Sequence, residues 1–419
     1  QSIDEVVQKN IQEQLQYATE HGGKLSDSGG LSYIQLVKKY YESSEHKPAW
    51  CSMEKWKPYA NSFFEYLDRS AEDGLFKDDY HFASLAALKK SLDEDSVKRT
   101  DAVLWTKADI LLTDAFMHVV QDLKQGRLQS DSMTWANDPE KYFSFFSEQL
   151  DKLKKNDPLD SLFKKLQPTL KGYWELKSGI RKFLDSMDTR QYTYVSYPYK
   201  QKDQKDSAAF VKKLITRFSE SGFAEKNQQV DSLELAGIIK KYQLKKKLTA
   251  DGKLSSSLIK LLNTTDVERY NRIAITLDRY KQMPEKMPEK YILVNLPGFY
   301  LQVWDSDTIN LTSKIICGKP ATSTPFITSA ISNIVIFPTW TVPTSIIKKE
   351  MLPGLKKSPG YLARKGLKLY NSKGEVVDPY SVNWAKYSKG IPYKIQQGSG
   401  EDNALGVIKF NFDNPFDVY

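Results

Sequence analysis

The spacing of apolar residues changes once along this chain, and that change limits what the chain can fold into. Up to about residue 281, apolar side chains recur every three or four positions, the period of an amphipathic helix. From Tyr291 they alternate, the period of a strand with one buried face. A chain of 419 residues with helices in front and strands behind is α+β or a set of separate domains, not an alternating α/β sheet. Its length suggests two to four domains.

In the helical part, Tyr33, Leu36, Val37, Tyr40 and Tyr41 share a face, and Trp56, Tyr59, Phe63, Tyr66 and Leu67 repeat the pattern. Residues 108–123 predict the clearest helix, with Ile110, Leu111, Ala115, Val119 and Leu123 on one side and Gly126 just past its end. Residues 142–166 and 173–185 predict one helix each. Residues 191–205 lose the period and read as a linker. A unit of about 60 residues follows. Its predicted helices centre on Phe210–Phe218, Ser232–Tyr242 and Leu254–Leu262, with a turn at Asp251-Gly252. One more helix is predicted over 266–281, before two "MPEK" copies that mark a linker.

Strands are predicted in a hairpin turning at Pro297-Gly298, then at 309–316, 331–337, 367–370, 393–396 and 407–412. A helical insertion punctuated by Pro353, Gly354, Pro359 and Gly360 falls at 348–365. No run of about 18 apolar residues exists, so no transmembrane helix is expected.

The residue supply excludes several chemistries. The four histidines, His21, His46, His81 and His118, all precede residue 120. The two cysteines, Cys51 and Cys317, lie far apart, so a Cys/His zinc site at short spacing is excluded. No metal or cofactor is expected. The formal net charge of +9 is uneven, with twelve Lys and Arg against six Asp and Glu over 205–265, and sixteen against eleven over 284–419. Such an excess suits an anionic partner, or serves solubility alone. Charge is the only argument for nucleic acid, and no motif of that class is present.

Five motifs in order carry a resemblance: "YILVNLPGFYLQVW" (291–304), "ICGKPATSTP" (316–325), "FPTWTVPTSI" (337–346), "SPGYLARKG" (358–366) and "DNALGVIKFNFDNPFDVY" (402–419). Together they resemble the catalytic domain of the YkuD-type L,D-transpeptidases, bacterial enzymes that cross-link the cell wall. Upstream, "PAW" (48–50), "AEDGLF" (71–76) and "LLTDAFMHVVQDLKQGRL" (111–128) resemble the helical scaffold of the large multidomain subgroup. "VKKLITRFSESGF" (211–223), "IKKYQ" (239–243) and Asp251-Gly252 resemble its peptidoglycan-binding module, without the glycine-rich first repeat.

The resemblance implies a multidomain α+β protein. It divides into an N-terminal segment (1–30), a helical scaffold (31–204), a small three-helix peptidoglycan-binding-like domain (205–265), a helix and linker returning to the scaffold (266–289), and a mainly-β catalytic domain (290–419) with a helical cap at about 346–395. It implies a peptidoglycan L,D-transpeptidase of the periplasm or cell envelope. Such an enzyme forms 3→3 cross-links by cysteine acyl transfer, contributes to cell shape and is a carbapenem target. Its partners are stem peptides and glycan. The alternative is a non-catalytic wall-binding or scaffold protein.

In the family, the tyrosine of "DVY" precedes a histidine and then Ser/Thr-His-Gly-Cys, whose cysteine is the nucleophile. Residues 1–419 contain neither, so the nucleophile is expected beyond Tyr419 and these 419 residues are expected to be inactive. Cys51 and Cys317 are expected to be buried and structural. For substrate binding the resemblance points to the frame of the cleft. Asn403, Ala404, Leu405 and Gly406 either let a peptide approach the backbone or form an ordinary turn. Trp340 walls the cleft or joins the core. In the cap, Tyr361 and Arg364 are candidates, and the Arg364 guanidinium either forks onto a carboxylate or lies on a solvated face. Lys409 and Tyr419 border the nucleophile loop. Lys240, Lys241, Lys245, Lys246 and Lys247, beside Tyr242, grip anionic polymer or form a solvated face.

Overall fold

The computed structural model describes residues 2–25, 30–128, 139–197, 204–306, 308–388, 390–416 and 418. It divides into two compact units, Gln1–Met287 and Pro288–Tyr419.

The first unit is helical and is built around one helix. Its leading elements are α1 (Ile3–Glu20), α2 (Ile34–Ser43), the two-residue strands β1 (Cys51–Ser52) and β2 (Lys55–Trp56), α3 (Pro58–Arg69), α4 (Phe82–Glu94), α5 (Ser96–Arg99) and α6 (Ala102–Gln125). Asp101 caps α6 by accepting from the Val103 amide, and Gly126, at φ 78°, ends it. The sequence places one apolar face on α6. In the structure nearly every residue from Trp105 to Leu123 is buried, because α1, α2, α4, α7 (Pro139–Lys154) and α8 (Leu159–Leu166) surround it. A helix that is apolar all round is a central one.

Because it is buried all round, α6 must satisfy its polar side chains internally, and it uses them to fix the chain that wraps it. The Asp109 carboxylate accepts from the amides of Ala49 (2.7 Å), Trp50 (2.7 Å) and Cys51 (3.2 Å) and from the Tyr41 hydroxyl (2.5 Å). Asp114 accepts from the Ser32 and Tyr33 amides at 3.0 and 2.7 Å and meets His81 Nε2 at 2.7 Å. Asp122 accepts from the Tyr80 hydroxyl at 2.7 Å. Burial pushes the Asp109 carboxyl pKa up, while the Tyr41 hydroxyl and the Ala49 and Trp50 amides pull it down.

Three sequence expectations change here. Residues 1–30 are not a separate segment: Val7, Ile11, Leu15 and Ala18 of α1 join the same core as α2–α8, behind a Ser2–Glu5 capping box. Trp56 lies outside its predicted helix, because Pro58 at the first turn starts α3 later. The single helix expected over 142–166 is two, α7 and α8, broken where Asn156 takes φ 67° before Pro158.

After α9 (Lys171–Asp185), the helices α10 (Gln204–Glu220), α11 (Ser232–Lys245) and α12 (Ser256–Asn263) form a separate core around Leu214, Phe218, Ile239, Tyr242, Ile259 and Leu262. Gln243 fixes the Asp251-Gly252 turn, donating to Asp251 at 2.7 Å and accepting from the Gly252 amide at 2.9 Å. Helix α13 (Asp266–Lys281) then packs back on the first core, and the Tyr270 hydroxyl donates to the Ala71 and Leu75 carbonyls.

The second unit holds three antiparallel sheets. A meander joins β3 (Lys290–Asn295), β4 (Tyr300–Asp305) and β5 (Thr308–Lys314), and a ribbon pairs β6 (Ile331–Ile336) with β11 (Ile408–Phe412). Between them in sequence lie β7 (Trp340–Thr341), α14 (Thr344–Ile346), a π-helical turn at Ile347–Met351, α15 (Leu352–Lys357), α16 (Tyr361–Arg364), β8 (Leu367–Tyr370), β9 (Val376–Val377) and β10 (Lys394–Gln397). The short strands pair in the order β7-β10-β8-β9 and share a core with the helices that includes Leu352, Leu355, Leu362, Leu369, Trp384 and Ile395. The meander and the ribbon are different. Ile292, Val294, Leu311, Ile334, Ile336 and Phe410 are all exposed.

Asp109→Ala leaves three amides and a tyrosine hydroxyl without their acceptor in a buried site. We expect it to destabilise the helical unit by about 3–5 kcal/mol, read as a lower denaturant midpoint. A loss under about 1 kcal/mol would remove this carboxylate as an anchor.

Candidate active site

Of the residues singled out from the sequence, Trp340 and the Asn403–Gly406 turn meet at the seam between the cap sheet and the β6–β11 ribbon. Gln397, at the end of β10, pairs with Trp340 of β7 on one side and Leu367 of β8 on the other. Its side chain reaches the Asn403 turn: Nε2 donates to the Asp402 carbonyl at 3.0 Å, and Oε1 accepts from the Ala404 amide at 2.9 Å. The Phe337 amide donates to the Val407 carbonyl at 2.7 Å, closing the same seam from the ribbon. Trp340 and residues 402–407 are thus neighbours although more than sixty positions separate them. The sequence reading missed Gln397. A glutamine at a strand end carries no local signal, and its role comes only from the pairing of β10.

The Asn403–Gly406 turn is ordered by its own first residue. Asn403 is buried, donates from Nδ2 to the Gly398 carbonyl at 2.7 Å and accepts at Oδ1 from the Leu405 amide at 2.7 Å. The Gly406 amide donates to the Asn403 carbonyl at 2.8 Å. The amides of 404, 405 and 406 are therefore already engaged, and this turn offers none of them as a donor to a developing oxyanion. Gly406 takes φ 71°, where glycine is favoured, and a Cβ there would meet nothing within 4 Å. Backbone approach from that side is unobstructed.

The other candidates are spread out. Trp340 and Tyr361 are half-buried and pack against the cap core. The Tyr361 ring lies so close over Gly354 that a Cβ there would come within 2.6 Å of it. Arg364 is exposed at the end of α16, and Lys409 is half-buried in the ribbon opposite Val335. Tyr419 lies outside the described residues. In the first unit, Lys240, Lys241, Lys245, Lys246 and Lys247 are exposed, while Tyr242 beside them is buried in the module core.

Neither thiol is set up as a nucleophile. Cys51 is buried and donates to Asp109 at 3.4 Å; burial and the nearby Asp109 charge push its thiol pKa far above the ordinary cysteine range. Cys317 is half-buried rather than buried, because it sits after β5 at the meander's open end, with its Sγ 3.7 Å from the Leu296 carbonyl. Among the described residues no histidine pairs with either sulfur. His21, His81 and His118 are bonded to Tyr17, Asp114 and Asp122 instead.

Two protein families match this chain, with residues 35–179 matching a scaffold domain. Residues 289–419 match an L,D-transpeptidase catalytic domain. The second match spans nearly the whole C-terminal unit. A Haemophilus influenzae protein named "Putative L,D-transpeptidase" is 32% identical over 148 residues, which are 35% of this chain and 30% of that protein. The transpeptidase domain therefore comprises the meander, the ribbon and a separately packed cap. No helix among the described residues is long and apolar enough to cross a membrane.

In native protein at neutral pH, a thiol reagent such as 5,5′-dithiobis(2-nitrobenzoate) should titrate Cys317 alone, and both cysteines after unfolding. Fast native labelling of Cys51 would contradict the burial that suppresses its thiolate.

Proposed function

We propose that this protein is a peptidoglycan L,D-transpeptidase acting in the periplasm or cell envelope. The catalytic-domain match over residues 289–419 carries the reading. In the proposed reaction a cysteine thiolate attacks the carbonyl between a diamino acid and the terminal D-alanine of a tetrapeptide stem. D-alanine leaves and a thioester remains. The side-chain amine of a second stem attacks the thioester, releasing the thiol and forming a 3→3 cross-link. A thiolate suits both steps, being nucleophilic near neutral pH and a good leaving group.

The seam supplies the frame for the donor stem. Trp340 lines one wall and the Asn403–Gly406 turn the other, with Tyr361 and Arg364 on the cap side and Lys409 on the ribbon. Because the turn's amides are engaged internally, its part is shape, and the oxyanion donors come from elsewhere. Neither Cys51 nor Cys317 is assigned as the nucleophile. The exposed lysines of α11 and the turn after it give residues 205–265 a basic face for anionic wall polymer.

One observation favours a second reading. Among the described residues neither Cys51 nor Cys317 has a histidine partner, an arrangement that suits a wall-binding protein. Muropeptide analysis separates the two. Expression of the gene in a bacterium that makes few 3→3 links should raise their share several-fold, and carbapenem should block the rise. An unchanged 3→3 share, with the protein retained on insoluble peptidoglycan, would favour binding alone. The polypeptide of residues 1–419 should show no acyl adduct by intact mass after carbapenem treatment. An adduct on Cys317 or Cys51 would overturn the assignment of both as bystanders.

A further inference from the structure

A pocket of about 620 Å³ opens on the scaffold unit, remote in sequence from the transpeptidase domain. Its lining includes Ser43, Ser44, Lys47, Lys57, Tyr59 and Lys154. Three lysines face one carboxylate, Glu45, which is already paired with Lys47 at 2.6 Å. The other two ammonium groups are held in place by neutral oxygen. Lys57 Nζ donates to the Pro48 and Ala49 carbonyls at 2.8 and 3.0 Å, and Lys154 Nζ donates to the Tyr40 hydroxyl. Among the described residues neither is in an ion pair. An ammonium has three donors, so Lys57 keeps one free of these contacts and Lys154 keeps two.

Two like charges held half-buried at one pocket, neither within ion-pair distance of a carboxylate among the described residues and opposed only from farther off by Asp109 and Asp151, are costly unless something neutralises them. The cost shows at Lys154, where burial lowers the ammonium pKa and the Lys57 charge lowers it further, against the pull of Asp151. The Ser43 and Ser44 hydroxyls donate to the Tyr40 and Tyr41 carbonyls and offer no donor to the pocket. Recognition there falls to the ammonium groups, which act as point charges and accept carboxylate and phosphate alike.

We propose that this pocket binds a small anionic end group, a carboxylate or a phosphate, between the ammonium groups of Lys57 and Lys154, with Lys47 at its mouth. The volume accommodates a dipeptide-sized ligand. Binding there gives the scaffold its own grip on anionic chain ends and does not depend on the acyl-transfer reading.

Titration of the 419-residue polypeptide by calorimetry or NMR tests this, with N-acetyl-D-alanine, its amide and inorganic phosphate as probes. Acid or phosphate should bind at least ten-fold more tightly than the neutral amide, and binding should weaken as sodium chloride rises. A tighter acid identifies a peptide carboxylate as the ligand type, and a tighter phosphate identifies a phosphate group. Lys154→Met should weaken binding by about ten-fold or more, and Lys154→Arg should retain most of it. Lys57→Met risks unfolding the 48–49 segment, so Lys154→Met carries the test; this variant removes a charge no carboxylate pairs with and should fold. Equal affinity for acid, phosphate and amide, or a folded Lys154→Met that binds like the parent, would overturn the site.

Discussion

The helical unit depends on one buried carboxylate. Asp109 sits in the middle of a helix with no exposed face, and its two oxygens take three consecutive amides of the 49–51 segment and a tyrosine hydroxyl. A carboxyl group in that position is tolerated because donors replace the water it has lost. The same bonds solve the chain's own difficulty, since residues 49–51 run irregularly through the core and would otherwise bury unsatisfied amides. Asp114 does the same for residues 32–33, five positions along and on another side of the helix. One central helix thereby orients the segments around it by charge-assisted bonds, with apolar packing filling the space between.

The transpeptidase domain is organised on a different principle. Its cap is a small fold in its own right, with four short strands and several helical turns around Leu352, Leu355, Leu362 and Ile395. The meander and ribbon have well-formed ladders but open apolar faces. Backbone pairing sets their register; side-chain burial contributes little among the described residues. The seam joining cap and ribbon rests on polar contacts, chiefly those of Gln397 and Asn403. The seam is thus framed by hydrogen-bonded turns at the surface.

Much of this was legible from residue spacing. The α10, α11 and α12 helices, the return helix α13, the hairpin about Pro297-Gly298 and strand β8 fall where the apolar period and turn residues put them. The errors have physical causes. Helix α1 carries its period in Val7, Ile11, Leu15 and Ala18, but only the tertiary structure seats those residues in the core of α2–α8. The pattern over 142–166 continues across Pro158, whereas the chain breaks there into α7 and α8. The one-sided reading of α6 failed because spacing reveals a stripe only when the other sides are polar, and here the polar residues are themselves buried.

By itself, the sequence determined the order of helical and β parts and the motifs that mark the transpeptidase domain, because local period and turn chemistry are properties of neighbouring residues; the core around Leu214 and Phe218 also takes in Val195, from the stretch read as a linker. Only the tertiary structure decided which polar groups meet. It brought Gln397 between Trp340 and the Asn403 turn, sealed Cys51 against Asp109, left Cys317 half-open, and set Lys57 beside Lys154 around a pocket. Apart from Gln397 and its neighbouring turn, the residues brought together stand about sixty to a hundred positions apart, and their energies depend on burial and distance, which no local spacing encodes.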